Sequence, residues 1–156
     1  MIEIKINNLN NLLKLTNQFP QVAEKHVNKA IFDSLNLVKN VVASKAPRGV
    51  SGDLRNQWKI EMSRFSGSLV STAQSDGYNY GLAVEKGTAP HFPPVSKIAP
   101  WAVKRGLNPW AVAKSIAKKG TKANPFLKNS ANYSKKGIEN ILEKSIGAII
   151  NDVKTL

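Results

Sequence analysis

The chain has 156 residues, of which 42% are hydrophobic, so its length suits one domain with a substantial apolar core. There are 23 lysines and arginines against 10 aspartates and glutamates, and the formal net charge of +13 indicates an anionic partner, whether nucleic acid, an acidic protein surface or a membrane. The chain has no cysteine, which excludes disulfides, thiolate metal sites and cysteine nucleophiles, and its two histidines lie far apart, which disfavours a zinc site.

The sequence gives no indication of a membrane segment. Residues 1–6 lack the long apolar core of a signal peptide, and no apolar run approaches the roughly 18 residues that a membrane span needs. We therefore expect a soluble protein made in a cytoplasm, without a membrane among its partners.

The first elements are predicted by alternation and by helical spacing. Ile2, Ile4 and Ile6 alternate with polar residues, which predicts a short half-buried strand. A helix with leucines on one face is expected over residues 9–15. It should end before Pro20, since the residue that precedes a proline is pushed out of the α region.

A long helix is predicted next. From Gln21 onward apolar residues recur every three to four positions, until Ala46-Pro47, where the proline cannot continue the hydrogen-bond ladder. This spacing predicts a helix of about 24 residues. His26 lies in its first turns, where we expect a boundary or solvent-facing side chain with no ligand role.

A β-hairpin is predicted after the long helix. The apolar residues from Leu54 to Met62 occupy even positions, which is typical of a strand. Ser66-Gly67 is expected to form the turn, and residues 68–74 the returning strand. Residues 80–84 fit both patterns, because they alternate like a strand while Tyr80 and Val84 stand one helical turn apart.

Two short helices are predicted at about 98–105 and 109–119, joined by Arg105-Gly106-Leu107-Asn108. Pro100 and Pro109 each precede Trp-Ala-Val and are expected at the first helical position, where a missing N–H costs nothing. Asn108 is the expected N-cap of the second helix. We expect Trp101 and Trp110 to dock these helices onto the sheet.

The last predicted element is a long helix with apolar residues at helical spacing from Ile138 to Val153. Gly137 and Gly147 each weaken such a helix by about 1 kcal/mol relative to alanine. They would also allow another helix to approach closely.

The cationic residues are concentrated in one window. Between Glu85 and Glu139 the sequence has no acidic residue, and Lys114 and Lys118 stand one helical turn apart. The predicted face toward an anionic partner consists of Lys104, Arg105, Lys114, Lys118, Lys119 and Lys122. The alternative is a solvated surface that only aids solubility.

No catalytic constellation is present in the sequence. It has no HExxH, no Walker or dinucleotide glycine loop, and its acids are scattered singly. Glu85 is expected to accept backbone N–H bonds from the adjacent Gly87-Thr88 turn or to pair with a base such as Arg55. We expect no enzyme, no cofactor and no metal.

Three separated elements of the chain together resemble a known family. The first is Ala46-Pro47 followed by Ser51-Gly52-Asp53-Leu54-Arg55, the second spans residues 80–88 (YGLAVEKGT), and the third is Asn124-Pro125-Phe126-Leu127. In this order they are similar to the tail-completion, or head–tail joining, proteins of long-tailed bacteriophages. The resemblance covers roughly residues 20–153.

The resemblance implies an α+β fold in which long N- and C-terminal helices pack on a small antiparallel sheet. It implies a single tail-completion-like domain over residues 1–156 and a short helix at residues 80–84. The two short helices predicted from their own sequence form an insert in that domain at about 95–120. By motif, Gly52 and Leu54 would start the sheet. Tyr80, Glu85, Gly87 and Thr88 would form a mid-chain turn, and Pro125, Phe126 and Leu127 would anchor the last helix.

The chain departs from the family pattern at two places. Gly81 replaces the usual alanine, and the segment 90–123 is long. The specialised contact surface of this member is therefore expected in that segment.

The function that the resemblance implies is structural. A minor tail component of this kind completes or joins the tail of a phage or prophage virion through ring-like oligomers. Its partners would be other phage structural proteins, namely the connector, the tail tube or the terminator. It would be made in the bacterial host cytoplasm and would reside at the head–tail interface of the virion. The basic window would suit a ring lumen passed by DNA, or docking onto acidic neighbours.

A stand-alone nucleic-acid-binding protein is the alternative. The two short helices over residues 98–119 resemble a helix-hairpin-helix, whose loop amides hold a phosphate. Asn108 stands where a second glycine is usual. Salt discriminates between the two hypotheses, because DNA affinity falls with a log–log slope of about −0.9 per phosphate contacted.

Overall fold

The computed structural model describes residues 2–3, 19–50, 52–73 and 80–154. The strands are β1 (Ile2–Glu3), β2 (Trp58–Ser63) and β3 (Ser66–Ser71). The helices are α1 (Pro20–Lys45), α2 (Asp53–Asn56), α3 (Tyr80–Lys86), α4 (Val95–Lys104), α5 (Pro109–Lys119) and α6 (Phe126–Lys154). The predicted α+β class, with two long helices, a small antiparallel sheet and short helices between them, is confirmed. The helix predicted over residues 9–15, the rest of the N-terminal strand and residue 74 lie outside the described residues. The returning strand, predicted over residues 68–74, ends at Ser71, so its predicted end was wrong.

Helix α1 has the predicted position and nearly the predicted length. It runs for 26 residues and has Pro20 in its first turn, where backbone N–H groups have no partner within the helix and a proline loses no hydrogen bond. Its last bond joins the Ala46 N–H to the Val42 carbonyl at 2.8 Å, and Ala46 is already extended, as the following Pro47 requires. The apolar face predicted by the spacing is buried, with Leu35, Val38 and Val42 at its centre.

The sheet has the order β1-β3-β2, and both pairings are antiparallel. The hairpin turn consists of Arg64 and Phe65, so the prediction of a turn at Ser66-Gly67 was wrong. Phe65 adopts a left-handed conformation with φ of 57°, and its N–H donates to Asn28 Oδ1 on α1 at 2.9 Å. Gly67 belongs to β3, where a Cβ would lie 2.6 Å from Leu35 Cδ1. The glycine is therefore needed for close strand–helix packing and not for the turn.

The strand predicted to begin at Leu54 begins at Trp58. Leu54 lies in the short helix α2, which starts after Gly52 (φ 80°) and is closed by a bond from the Arg55 N–H to the Gly52 carbonyl at 2.9 Å. The buried indole of Trp58 donates to the Leu54 carbonyl at 2.8 Å. The expectation that Gly52 and Leu54 start the sheet is therefore wrong. Leu54 and Trp58 both occupy even positions, as in a strand, but they are also four residues apart, which is the spacing of a helical turn.

Helix α6 runs antiparallel along α1, and this is the most extensive contact between elements of the described chain. His26 Nε2, near the start of α1, lies 2.7 Å from Asp152 Oδ2 near the end of α6. At the other end, Lys45 Nζ lies 4.5 Å from the centroid of the Tyr133 ring. Helix α1 also contacts β2 and β3, so it is the element on which the sheet and α6 are both assembled.

The two glycines of α6 differ in their surroundings. A Cβ at Gly137 would lie 2.6 Å from Leu37 Cδ2 on α1, so the predicted close approach occurs there. Apart from the backbone of its own helix, a Cβ at Gly147 would meet no atom of the described residues within 4 Å, so no described element approaches this glycine closely.

Candidate functional site

The residues of the first motif connect the end of α1 to α2. Arg55 Nε donates to the Ala46 carbonyl oxygen at 2.9 Å, and Ala46 is completely buried. Leu54 beside it is 4% exposed and joins the main apolar cluster. The guanidinium of Arg55 is bonded to the backbone, and the expected pairing of Arg55 with Glu85 is not observed.

Glu85 joins the second motif to the third. Its Oε2 accepts the Leu127 N–H at 2.8 Å and its Oε1 accepts the Lys128 N–H at 3.1 Å. These amides lie in the first turn of α6, where backbone N–H groups have no partner within the helix and the helix dipole favours a negative charge. The expectation that Glu85 accepts backbone N–H bonds is confirmed, but the predicted donors, Gly87 and Thr88, were wrong.

The remaining residues of these two motifs complete the same junction. The Asn124 N–H donates to the Val84 carbonyl at 2.8 Å. Pro125 precedes the first residue of α6, Phe126, whose side chain is 2% exposed in the main apolar cluster. Tyr80 and Leu127 pack against this cluster as partly buried side chains.

Gly87 and Thr88 form one half of a narrow neck. The backbone of Thr88 exchanges two hydrogen bonds of 3.1 Å with Thr121, and their hydroxyl oxygens lie 3.0 Å apart. Gly87 (φ 71°) and Gly120 (φ 69°) precede these threonines, and a Cβ on either would collide with a carbonyl oxygen across the neck. The inserted segment, residues 89–120, therefore leaves the fold after Gly87-Thr88 and rejoins it at Gly120-Thr121.

The inserted segment contains α4 and α5, which pack on each other with Ala102 and Ala113 buried. The N-cap prediction is confirmed, since Asn108 Oδ1 accepts the N–H groups of Trp110 at 2.9 Å and Ala111 at 3.2 Å. Pro109 occupies the first turn of α5 as predicted. Pro100, in contrast, lies inside α4, because that helix already begins at Val95 after the Pro93-Pro94 pair.

Two aromatic side chains are exposed together on the inserted segment. Trp110 is 60% exposed and Phe92 is 54% exposed, and their ring centroids are 6.4 Å apart with the planes tilted by 46°. The prediction that Trp110 docks onto the sheet is therefore wrong. Trp101 is partly buried and has the Arg105 guanidinium 4.8 Å from its ring. Phe92 was missed by sequence analysis, since it lies in a proline-rich loop without periodicity.

The six predicted cationic residues fall into three groups. Lys104 Nζ donates to the Val50 carbonyl oxygen and Arg105 Nη2 donates to the Arg48 carbonyl oxygen, both at 3.4 Å. These two contacts join the inserted segment to the loop after α1. Lys114 and Lys118 follow Trp110 at four-residue intervals along one face of α5. Lys119 and Lys122 are exposed near the neck. Within the described ranges, none of the lysines at 114, 118, 119 and 122 forms an ion pair.

The loop between α4 and α5 bears on the nucleic-acid alternative. The N–H groups of Arg105 and Leu107 donate to the Ala102 carbonyl at 3.0 and 2.8 Å, and that of Gly106 donates to the Val103 carbonyl at 2.9 Å. A helix-hairpin-helix would hold a phosphate with such loop amides. Here the amides of Arg105, Gly106 and Leu107 already donate to carbonyl oxygens of the last turn of α4.

A groove of about 320 Å³ lies between α1 and α6. Several of its polar side chains bond within the protein: Lys29 pairs with Asp33 at 2.6 Å, and Ser145 Oγ donates to the His26 carbonyl at 3.0 Å. The imidazole of His26 is 17% exposed and lies against Asp152, which is the boundary position that was expected. Among the described residues, no three histidine, aspartate or glutamate side chains are grouped as metal ligands would be.

No helix in the described part of the chain has both the length and the apolarity that crossing a membrane requires. Comparison of the chain with protein-family models, with curated proteins and with solved structures found no match.

Proposed function

We propose that this chain is a structural protein of a phage or prophage virion that completes or joins the tail at the head–tail junction. It acts through oligomeric protein–protein contacts, and its neighbours are other phage structural proteins such as the connector, the tail tube or the terminator. The proposal begins from the resemblance of three separated motifs, and the geometry of those motifs supports it.

The observation that carries the proposal is the bond from the Glu85 carboxylate to the first turn of α6. The only acid of the three motifs whose side chain is described is occupied with the backbone amides of Leu127 and Lys128. The Arg55 side chain is likewise bonded to the Ala46 carbonyl. Because these polar groups bond to the backbone, we interpret the motifs as structural elements of a common fold. In a reaction centre such groups would stay free to act on a substrate.

A contact function also agrees with the distribution of charge and exposure. The inserted segment presents Phe92 and Trp110 to solvent next to lysines that have no carboxylate near them in the sequence. Exposed aromatic side chains are enriched at protein interfaces, and unpaired cationic groups favour an anionic neighbour. A chain of net charge +13 also repels its own copies. Its assembly is therefore expected to need salt, acidic neighbours or complementary local pairs.

The direct test is genetic. In the phage or prophage that encodes this chain, a premature stop codon should give filled heads and separate tails under the electron microscope. Supplying the intact gene in trans should restore joined particles. Joined, infectious particles from the stop-codon genome would refute the proposal.

The biochemical test separates the proposal from the nucleic-acid alternative. Light-scattering mass and DNA binding would be measured on one sample at about 50 and 300 mM salt, which brackets the range where phosphate contacts are screened. We expect an oligomer that tolerates salt, or a monomer without tight DNA binding. A monomer that forms a sub-micromolar, salt-sensitive DNA complex would favour the alternative.

A further inference from the structure

We infer that α5 of one copy of this chain docks antiparallel onto the exposed face of α6 of a second copy. Lys114 and Lys118 would then meet Glu143 and Glu139, and Trp110 would lie over Gly147. This inference rests on the proposed function for the need to bring copies together, and it adds the surfaces through which they meet.

The first surface is a row on α5. Trp110, Lys114 and Lys118 are four residues apart, so they lie on one face at intervals of about 6 Å along the helix axis. All three are exposed. Two lysines one turn apart repel each other, and neither has an ion-pair partner among the described residues.

The second surface is a row on α6. Glu139, Glu143 and Gly147 are also four residues apart, and both glutamates are exposed. Apart from the backbone of α6 itself, no atom of the described residues lies within 4 Å of the position that a Cβ on Gly147 would take. Ile150, which is 41% exposed, follows on the same face. This row therefore offers two carboxylates and then a shallow apolar site.

The two glutamates are distinguished from the other acids of the chain. Every other carboxylate whose side chain the structure describes has a partner within the chain: Glu24 with Arg64, Asp33 with Lys29, Glu61 with Lys59, Asp152 with His26, and Glu85 with the amides of α6. Glu139 and Glu143 have none among the described residues. Unpaired carboxylates on one copy and unpaired ammonium groups on another are complementary.

The order of the residues determines the relative direction of the helices. With the helices antiparallel, Lys118 faces Glu139, Lys114 faces Glu143 and Trp110 faces Gly147, because both helices rise by the same distance per residue. The Phe92–Trp110 pair would then cover Gly147 and Ile150. The glycine leaves room for the indole, which accounts for a glycine at a partly exposed helical position where alanine would favour the helix.

Like charges on α6 define the register. Lys135 and Lys136 lie one turn before Glu139 and are exposed. Sliding α5 by one turn in that direction would place Lys118 against these lysines, so the shifted register is disfavoured.

Since the two surfaces are different, the contact is heterologous, the type that generates rings or filaments from identical copies.

A second copy fits this surface better than a nucleic acid does. The exposed aromatic rings are tilted against each other and do not offer parallel faces for stacked bases. Arg105, the residue best suited to phosphate, lies over Trp101 and bonds to the Arg48 carbonyl. Binding to a nucleic acid or to an acidic segment of another protein is therefore an outcome of the test and not the inference.

The test uses charge reversal. Lys114→Glu/Lys118→Glu and Glu139→Lys/Glu143→Lys would be purified separately, checked for the wild-type circular dichroism spectrum, and studied by sedimentation over a wide concentration range. Each variant alone should lose at least tenfold in self-association. An equimolar mixture should recover it, because the acidic α5 of one variant meets the basic α6 of the other. If the mixture associates no more than the separate variants do, the inference is overturned.

A second measurement covers weak assembly. The chain has no cysteine, so Lys118→Cys/Glu139→Cys introduces the only thiols and leaves the Lys114–Glu143 pair intact. Under mild oxidation we expect a ladder of covalent multimers that the reductant removes. The matched control, Lys119→Cys/Glu139→Cys, places the first thiol on a different face of α5 and should form few covalent multimers. Absence of the ladder overturns the inference, as does equal cross-linking of both variants.

These outcomes are separable from the proposed function. If the mixed variants assemble but the stop-codon genome still gives joined particles, the interface stands and the head–tail role fails. If joining requires the gene but both charge-reversed variants complement fully, the role stands and the interface fails. If wild-type sedimentation changes only when DNA or an acidic peptide is added, that ligand and not a second copy occupies the surface.

Discussion

Glu85 Oε2 accepts the N–H of Leu127 at 2.8 Å across 42 residues of sequence. The carboxylate closes the N-terminus of α6 from outside the helix, since its other oxygen takes the Lys128 N–H. The chain between them leaves and returns through the Thr88–Thr121 neck. One side chain therefore anchors the last helix to the place where the inserted segment departs.

Replacing Glu85 with alanine should lower the free energy of unfolding by about 1–2 kcal/mol, as expected for loss of an N-terminal cap. Glu85→Gln should cost less, since its amide retains one acceptor oxygen. Glu61→Ala, which breaks an exposed pair with Lys59, is the control and should change stability by less than about 0.5 kcal/mol. Urea unfolding measures all three, and equal effects of the two alanine variants would contradict the capping role.

Gly87→Ala and Gly120→Ala should each destabilise the protein by clearly more than Gly106→Ala. All three glycines have φ near 70°, which costs alanine about 1–2 kcal/mol. Gly120 also has ψ of −159°, a backbone region that is essentially restricted to glycine, so its cost is higher. Apart from its chain neighbours, a Cβ at Gly106 would meet no atom of the described residues within 4 Å, whereas at the neck it would collide with Thr121 or Thr88. Thermal unfolding measures the three variants, and the comparison of Gly87→Ala with Gly106→Ala tests the collision; equal losses for these two would show that the neck is not tightly closed.

Gly147→Ala should stabilise the isolated chain by about 0.5–1 kcal/mol, because the position is helical and open. Gly137→Ala gains the same helical propensity but must displace Leu37 Cδ2 from 2.6 Å. It should therefore be the less stable of the two variants. Chemical denaturation at a concentration where the protein is monomeric makes the comparison, and the opposite order would contradict the packing of α6 on α1.

Trp58→Ala should cost about 3–5 kcal/mol, because this side chain is 6% exposed in the core and its indole N–H is bonded. Trp110→Ala should change the stability of the monomer by less than about 0.5 kcal/mol, because its ring is mostly in solvent. Urea unfolding followed by circular dichroism compares them. A large loss for Trp110→Ala would mean that this tryptophan supports the fold and is not available for contacts.

The extent of α1, the presence of a long C-terminal helix and the capping of α5 could be predicted from the sequence alone. Their determinants are local: apolar residues every three to four positions, Pro47 after Ala46, and Asn108 before Pro109. Helical periodicity and proline geometry act within a few residues, so neither needs the rest of the fold. The concentration of lysines between residues 86 and 136 was visible for the same reason.

Only the tertiary structure decided what these elements meet. Gly67 was expected in a turn but is needed where β3 passes Leu35, and Leu54 was expected in a strand but lies in a helical turn under Trp58. The partners of Glu85, the neck between Thr88 and Thr121, and the exposure of Trp110 all depend on segments more than 15 residues apart or on contacts with solvent. Spacing along the chain carries no information about such distances, because they are determined by how α1, the sheet and α6 pack.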